Sequence, residues 1–217
     1  MSDLLLLASG DGAPEALGEA LRAASDGLPG VERELAVLMP ADALPALAHA
    51  ATADPALPHA ILTLRGDAAA AAMRIVVEQV GDRIDPVRST VLATTRHAIL
   101  PGVDAIRLFF GLRRLERLSQ AEFQDYWLNR HADFGRRLIP PYTYHQLHAD
   151  PQATGEVAAA TGLPASTFDG VVEVHFPDVP ALVAQLSRPD VAQDALADER
   201  NFIDHARSIF WAYRTIL

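Results

Sequence analysis

The chain has 217 residues, half of them hydrophobic, so it can bury the core of one domain or of two small ones. It carries 28 acidic and 18 basic side chains, a formal net charge of -10 that repels phosphate backbones and anionic membrane surfaces. Neither nucleic acid nor a membrane is therefore expected as a partner. Cysteine is absent, which excludes disulfides and thiolate chemistry and is compatible with a cytoplasmic protein.

The first hundred residues predict the order β-α-β-β-α-β. The leucine run at 4–7 is too short for a signal peptide or a membrane span and is predicted as a buried strand. Apolar periodicity and turn residues place strands at 3–9, 31–39, 59–65 and 91–100, and helices at about 13–28 and 68–80. A short Ala-rich helix at 42–51 is treated as an insertion. This order is typical of a ferredoxin-like fold.

The Pro101-Gly102 pair marks a turn between two apolar runs, and we predict domains at 1–101 and 102–217. After it the order repeats, with a long loop predicted at 150–167. The predicted strands are 105–112, 142–149, 168–176 and 208–216, and the predicted helices are 120–138 and, in at least two pieces broken at Pro189, 179 to about 204. Because each half is too small to expose one face of its sheet, we predict an α+β fold in which two ferredoxin-like repeats face each other as one α+β barrel.

The helix at 120–138 carries a histidine at the edge of its apolar stripe. Ser119 and Glu122 form a capping box, which marks the start of the helix. His131 follows Trp127 by one turn, beside a stripe formed by Phe123, Trp127, Phe134 and Leu138. A histidine in this position is either a hydrogen-bonded structural residue or a functional one.

Alternation along two strands predicts a polar surface. Glu173 and His175 share one face of their strand, and the apolar residues on the other face are expected to lie beneath the helices. Tyr144, Gln146 and His148 share one face of the preceding strand, and we predict that they face the same cavity. Arg107 and Arg214 are the expected partners if Glu173 is a structural carboxylate. The alternative for the whole set is a hydrogen-bonded network that seals two sheets together.

Three stretches of the second half resemble the EthD domain, one branch of the dimeric α+β barrel superfamily. The first is LSQAEFQDYWLNRHA at 118–132, similar to the family's "xLSxxEFxxYWxxxHA". The second is Tyr144, Gln146 and His148, similar to "YxQxH". The third is FDGVVEV at 168–174 with DE at 198–199 and NFID at 201–204, similar to "(Y/F)DGxxEL" and "DExxFxD". The first half shows none of these motifs and resembles a diverged partner domain.

The resemblance implies a fold and a ligand class more than one reaction. The superfamily includes cofactor-free monooxygenases, polyketide cyclases, lactone isomerases, dehydratases and haem enzymes. We predict a cofactor-independent lyase or isomerase that uses histidine acid–base catalysis on an aromatic or polyketide-like molecule. The predicted catalytic residues are His148, His131 and His175, and the predicted substrate-binding residues are Tyr144, Gln146, Glu173 and Trp127.

Two other functions stay open, namely a cofactor-free monooxygenase of the same fold and a non-catalytic small-molecule-binding or stress-response module. No cofactor or metal is expected. A metal centre could be built from His131, His148, His175 and Glu173 only if the fold brought them together, and haem binding by a lone histidine is less expected still. A homodimer also stays open.

Overall fold

The strands and helices of the computed structural model follow the predicted order closely. The structure describes residues 2–44, 57–137 and 142–217. The strands are β1 Ser2–Ala8, β2 Glu32–Leu38, β3 Ala60–Arg65, β4 Thr90–Leu100, β5 Ile106–Leu112, β6 Thr143–Ala149, β7 Gly170–Phe176 and β8 Ile209–Thr215. The helices are α1 Pro14–Ser25, α2 Ala69–Val80, α3 Gln120–Tyr126, α4 Ala132–Gly135, α5 Pro151–Thr161, α6 Val179–Leu186 and α7 Pro189–Glu199.

The eight strands form one closed barrel in the order β1-β3-β2-β8-β5-β7-β6-β4, with β4 returning to β1. Each half contributes four neighbouring strands in ferredoxin-like order, β4-β1-β3-β2 and β8-β5-β7-β6. The two seams are antiparallel, β2 with β8 and β4 with β6. The predicted α+β barrel of two ferredoxin-like repeats is confirmed, while the boundary between 101 and 102 stays a prediction.

Apolar side chains fill both sides of the sheet of the first half. Leu4 and Leu6 of β1 point outward and pack with apolar residues of α1 and α2. Leu5 and Leu7, on the other face of the same strand, join the core inside the barrel. The alternation along β1 therefore assigns each face of the strand to one core.

Two predicted elements differ in the structure. The loop predicted at 150–167 contains α5, which Asp150 caps through its side chain and Gly162 ends in the left-handed region at φ 73°. We missed α5 because it buries only Thr154 and Val157, so it lacks a clear apolar stripe. In the stretch predicted as helix at 42–51, residues 41–43 form a single 3-10 turn, and residues 45–51 lie outside the described residues.

The helix predicted at 120–138 is interrupted. Between α3 and α4 the residues Trp127–His131 form a π-helical turn, and Leu138 lies outside the described residues. Among the described helices, none combines the length and the apolar character that a membrane crossing requires.

Candidate functional site

The capping box at Ser119 fixes the start of α3, and the π-turn fixes its end. The Ser119 hydroxyl accepts from the Glu122 N–H, and the Glu122 carboxylate accepts from the Ser119 N–H. In the π-turn the carbonyl of Trp127 accepts from the Ala132 N–H and also from Nε2 of Gln146, at 3.0 Å. A π-turn inside a helix often marks a functional site. Here it ties the helix to the outer face of β6.

Four side chains, which we call the helix-side network, lie between the helix and β6: Trp127, Tyr144, Gln146 and His148. The His148 ring stacks on Trp127 with ring centroids 4.6 Å apart. Its Nε2 lies 3.1 Å from Oε1 of Gln146. The Gln146 amide and the Trp127 indole both donate to the Tyr144 hydroxyl, at 3.0 and 3.3 Å. Each of the four side chains therefore has a hydrogen-bond partner within the network.

The prediction that Tyr144, Gln146 and His148 face the barrel cavity is wrong. The register pairs His145 with Glu173, so His145 shares the interior face with Glu173. Alternation fixes which residues of one strand share a face, but it cannot say which face of one strand continues into the next. On the outer face of β6, the buried Gln146 amide has a partner because it donates to the Trp127 carbonyl of the π-turn.

Burial keeps two members of the helix-side network uncharged at neutral pH. The pKa of His148 is lowered to about 3, first by burial and then by the neighbouring His97, whose ring centroid lies 4.4 Å away. Burial also raises the pKa of Tyr144 to about 12. The catalytic role of His148 and the substrate-binding roles of the network stay predictions, without the cavity on which they were based.

His131 lies at the end of the π-turn and is paired with a carboxylate. Its Nδ1 is 2.8 Å from Oδ2 of Asp198 in α7. The other oxygen of Asp198 accepts from the Tyr126 hydroxyl at 2.7 Å. The His131 ring packs against Phe134 and Phe202, and the residue is 7% exposed. Within the described chain, Nε2 of His131 has no hydrogen-bond partner.

A second polar set, which we call the interior charged cluster, lies inside the barrel. Arg107 is fully buried and donates to Oε1 of Glu173. Arg96 donates to Oε2 of Glu173 at 3.2 Å and lies 2.5 Å from Nδ1 of His145. The members are Asp3, Glu34, Arg65, Arg96, Arg107, His145, Glu173 and His175.

The charges of the cluster balance. Three carboxylates, Asp3, Glu34 and Glu173, face three guanidinium groups. Burial, followed by Arg96, lowers the pKa of His145 to about 3. Burial, followed by Arg107, lowers the pKa of His175 to about 4. Both histidines are therefore neutral near pH 7, and the cluster carries no net formal charge.

Glu173 and His175 lie in the interior, as alternation predicted, and Arg107 is a partner of Glu173. Arg214 is not, because it lies on the opposite face of β8 from Tyr213, the residue paired with Arg107. His145 is a site residue that the sequence does not predict, since the strand motif of Tyr144, Gln146 and His148 lies on the other face of β6. Asp198 was noticed only as part of a motif, and nothing in the sequence showed that it would meet His131.

The sequence profile of the EthD domain matches residues 115–206. We refer to this matched segment, which is less than half of the chain, as the EthD domain. It contains the helix-side network and also Tyr126, His131 and Asp198. The interior charged cluster, by contrast, draws half of its members from the first half of the chain, namely Asp3, Glu34, Arg65 and Arg96.

Solved structures share the fold of the whole chain, at sequence identities that show the fold alone. A candidate chlorite dismutase aligns with TM-score 0.58 and 9% identity over 100% of this chain and 95% of its own. A candidate monooxygenase from Lactobacillus acidophilus aligns with TM-score 0.53 and 9% identity over 99% and 92%. A chlorite dismutase from Candidatus Nitrospira defluvii, in complex with imidazole, aligns with TM-score 0.52 and 8% identity over 98% and 90%. No curated protein matches the sequence significantly.

The interior groups do not fit a metal ion. Ligand atoms of His145, Glu173 and His175 lie within 4.8 Å of one another. However, guanidinium groups already bind both oxygens of Glu173 and Nδ1 of His145. A divalent cation would meet these positive charges at close range in a poorly screened interior. The four ligands considered from the sequence do not come together, because His131 and His148 lie outside the barrel whereas His175 and Glu173 lie inside it.

The helix and the sheet of the EthD domain pack closely at two glycines. A Cβ atom on Gly170 would lie 2.5 Å from the Trp127 ring. A Cβ atom on Gly135 would meet the Tyr144 ring with an overlap of the same kind. Side chains press against bare glycine backbone at these two points, so a planar macrocycle does not fit at either of them.

Proposed function

We propose that this protein is an enzyme that moves protons on a small aromatic or enolisable molecule without a cofactor, as a lyase or an isomerase, and that His131 is its general base. The observation that carries this proposal is the pairing of His131 with Asp198, which is itself held by Tyr126. It joins residues from two separate EthD motifs. The EthD domain and the enzyme-like fold support the proposal.

The contacts give each atom of the pair a role. An ionised carboxylate can only accept a hydrogen bond. In the pair with Asp198, Nδ1 of His131 therefore carries the proton and Nε2 presents a lone pair. When Nε2 takes a proton from the substrate, the positive imidazolium forms 2.8 Å from the carboxylate. A positioned base of this kind contributes roughly 10²- to 10⁴-fold to a rate. Tyr126 is a positioning residue, since it acts through Asp198.

The surroundings of His131 favour an aromatic substrate. Phe134 and Phe202 flank its ring, with centroids 5.4 and 5.0 Å away. A flat apolar molecule can pack against such rings while its acidic C–H or O–H group points to Nε2. Proton removal leaves an enolate or phenolate. Protonation of that anion at another carbon gives an isomer, whereas expulsion of hydroxide from the carbon β to the carbonyl gives the unsaturated product of a lyase. In a β-keto acid, Nε2 takes the carboxyl proton, the carboxylate loses carbon dioxide and leaves the bonding electron pair as an enolate, and the enolate takes the proton back from the imidazolium.

Oxygen uptake separates this proposal from a cofactor-free monooxygenase. The same deprotonated substrate would react with dioxygen in the second case, so His131 would be needed in both. Turnover that continues under argon supports the lyase or isomerase. Turnover that stops under argon and consumes oxygen in air supports the oxygenase.

The test uses the full chain with a panel of aromatic and β-keto carboxylic acids and enolisable lactones, in the presence of chelator. Substrate loss and carbon dioxide release are followed for the wild type and for His131→Gln. The matched control is His205→Gln, since His205 is also a histidine 2.8 Å from a carboxylate, that of Glu199, but lies at the surface. We expect His131→Gln alone to lose at least about a hundredfold in kcat.

Two outcomes would contradict the proposal. Full turnover in His131→Gln would show that His131 is not the base, and loss of turnover in His175→Gln instead would place the chemistry inside the barrel. Saturable binding of panel members without any conversion would support the binding-module alternative.

A further inference from the structure

An open pocket of about 370 Å³ lies at one mouth of the barrel. Leu7, near the end of β1, faces the barrel interior and lines it, four residues further along the strand than Asp3 of the interior charged cluster. None of the lining residues belongs to the cluster or to the helix-side network. His131 is not among the lining residues either, so the pocket is separate from the proposed general base. A ligand bound there goes beyond the proposed function.

Four of the eight described residues that line the pocket are apolar, and one of these four is aromatic. Leu7, Pro58 and Phe168 line it, and Val87 stands at its rim with 82% of its surface exposed. Val87 is the most exposed of the large hydrophobic residues described. An exposed apolar rim beside apolar walls gains from burial when a ligand covers it.

Phe168 is fixed in its position before any ligand arrives. A Cβ atom on Gly111 would lie 2.7 Å from the Phe168 ring, so only glycine allows this approach. The ring also makes an edge contact with Phe109, at 6.2 Å between centroids, and lies under the guanidinium of Arg113 at 5.8 Å. A wall that is rigid in the free protein costs little entropy to bind against.

The strand segments around the pocket are likewise held by the backbone. The Val91 N–H donates to the Pro164 carbonyl at 3.1 Å, and the Ser166 N–H donates to the Val91 carbonyl at 2.8 Å. These bonds tie the segment before β7 to the start of β4. Thr90, Ser166 and Thr167 are thereby kept at the pocket wall. The Thr167 hydroxyl accepts from Arg113, and the Ser166 hydroxyl accepts from the Phe168 N–H at 3.4 Å and can still donate to a ligand.

The local charges decide against an anionic ligand. Arg88 is the one cation among the lining residues, and its Nε lies 2.5 Å from Asp85, while Asp11 is 3.5 Å from its Nη2. Two carboxylates therefore face one guanidinium. His59, next to Pro58, adds no positive charge near pH 7, because burial and Arg88 lower its pKa.

We propose that this pocket binds a small uncharged aromatic molecule, with its ring against Phe168 and Leu7 and a hydroxyl or carbonyl group toward the hydroxyls of Thr90 and Ser166. The volume lies at the lower end of the roughly 300–1,000 Å³ that ligand pockets span, which suits one or two fused rings and not a lipid chain.

The probe is 2-naphthol, which is uncharged at neutral pH, and it is compared with 2-naphthoate, which has the same rings and a carboxylate. Binding to the full chain is measured by titration calorimetry. Ser166→Trp fills the pocket from a half-buried wall position, and Phe168→Leu removes the ring while keeping apolar bulk. Val103→Ser is the control, since Val103 is also an exposed apolar residue, at the other end of β4. Circular dichroism shows which variants are folded.

We expect 2-naphthol to bind one to one and more tightly than 2-naphthoate. Ser166→Trp should weaken it by at least about tenfold by filling the pocket, Phe168→Leu by roughly two- to tenfold, and Val103→Ser not at all. Unchanged affinity in a folded Ser166→Trp or Phe168→Leu variant, or no saturable binding to the wild type, overturns the site. Tighter binding of 2-naphthoate overturns the ligand class.

The proposed function and the pocket proposal can be tested independently of each other. His131→Gln should leave 2-naphthol binding unchanged. If His131→Gln abolishes this binding and Ser166→Trp does not, the ligand sits at His131 and the pocket proposal is wrong, whatever the panel shows about turnover.

Discussion

His131 and Asp198 are 67 residues apart in the sequence, and Nδ1 of the first lies 2.8 Å from Oδ2 of the second. The two residues come from different elements, the π-turn after α3 and the helix α7. The carboxylate is engaged at both oxygens, because the Tyr126 hydroxyl donates to Oδ1. This geometry fixes the imidazole more tightly than a single contact would.

Removing Tyr126's hydroxyl should weaken this arrangement without abolishing it. In Tyr126→Phe the carboxylate of Asp198 keeps only His131, so we expect a several-fold loss of kcat and a loss of about 1.5–3 kcal/mol in stability, as for a hydrogen bond to a charged group. In Asp198→Asn the loss of kcat should be larger, since the amide no longer fixes the tautomer. Nitrogen-15 NMR of the imidazole reports the tautomer directly. An unchanged His131 tautomer in Asp198→Asn would contradict the positioning role.

Breaking the buried pair of Arg107 and Glu173 should be costly. Arg107→Met leaves the carboxylates of Glu173 and Glu34 short of a buried partner, and we expect a loss of about 3–5 kcal/mol in unfolding free energy. Urea denaturation measures it. The double variant Arg107→Met with Glu173→Leu should recover part of the loss, because no uncompensated charge remains at that pair. A loss below about 1 kcal/mol in the single variant would show that this ion pair contributes little to stability.

Acid should unfold the protein in a defined window. The pKa values of His145, His148 and His175 are lowered to about 3, 3 and 4 in the folded chain, so below pH 6.5 the unfolded chain binds more protons than the folded one. The contribution of these three histidines to stability is therefore fully present above pH 6.5 and falls as the pH drops toward 4. The loss is about 1.4 kcal/mol per pH unit for each histidine, or about 4 kcal/mol per pH unit for the three together.

Glu34 extends this window downward. Burial alone would raise its pKa, but Arg107, His175 and Arg65 together lower it to about 2. Its contribution is present above pH 4.5 and lost as the pH falls through about 2. Urea denaturation at several pH values checks both ranges. His148→Gln should reduce the slope between pH 6 and 4 by about a third, and the surface variant His205→Gln should leave it unchanged; an equal slope in both would refute the assignment.

The close contact at Gly170 predicts a sharp difference between two alanine substitutions. In Gly170→Ala the new Cβ would lie 2.5 Å from Trp127 and 2.9 Å from the Leu147 carbonyl. We expect a loss of about 1–3 kcal/mol from overpacking. Gly155→Ala is the control, because Gly155 lies exposed in α5 with no atom near its Cβ position, and alanine there should add about 0.5–1 kcal/mol. Thermal unfolding of both variants shows whether the signs differ as stated.

Much of the fold follows from the sequence, since period-two runs and turn residues mark all eight strands to within about two residues. The helix α5 is an element that periodicity does not reveal. Its sequence has a capping aspartate, a first-turn proline and a terminal glycine, but its buried surface is too narrow to produce an apolar stripe. Capping signals without periodicity do not by themselves distinguish a short helix from a loop.

The candidate site was less predictable, because its residues meet through the pairing of strands. Alternation correctly grouped Glu173 with His175 and Tyr144 with His148, yet the register of β6 against β7 placed the two groups on opposite faces. The contact between His131 and Asp198 depends on how α7 packs, which no local pattern encodes. The fold brings His131 and Asp198 together, whereas the sequence indicates only His131 as a candidate base.

The closure of the barrel determines how another molecule can approach this protein. With β2 bonded to β8 and β4 to β6, each described strand has a neighbour on both sides. The described strands therefore present no full-length free edge to which a second chain could add itself, and the unpaired stretches are short ones such as the end of β4, where pairing with β1 stops at Thr95. A copy or partner that associates with the described part of the chain is therefore expected to bind mainly through side chains of helices and loops, so surface residues set the specificity of such an assembly and can be changed without altering the barrel.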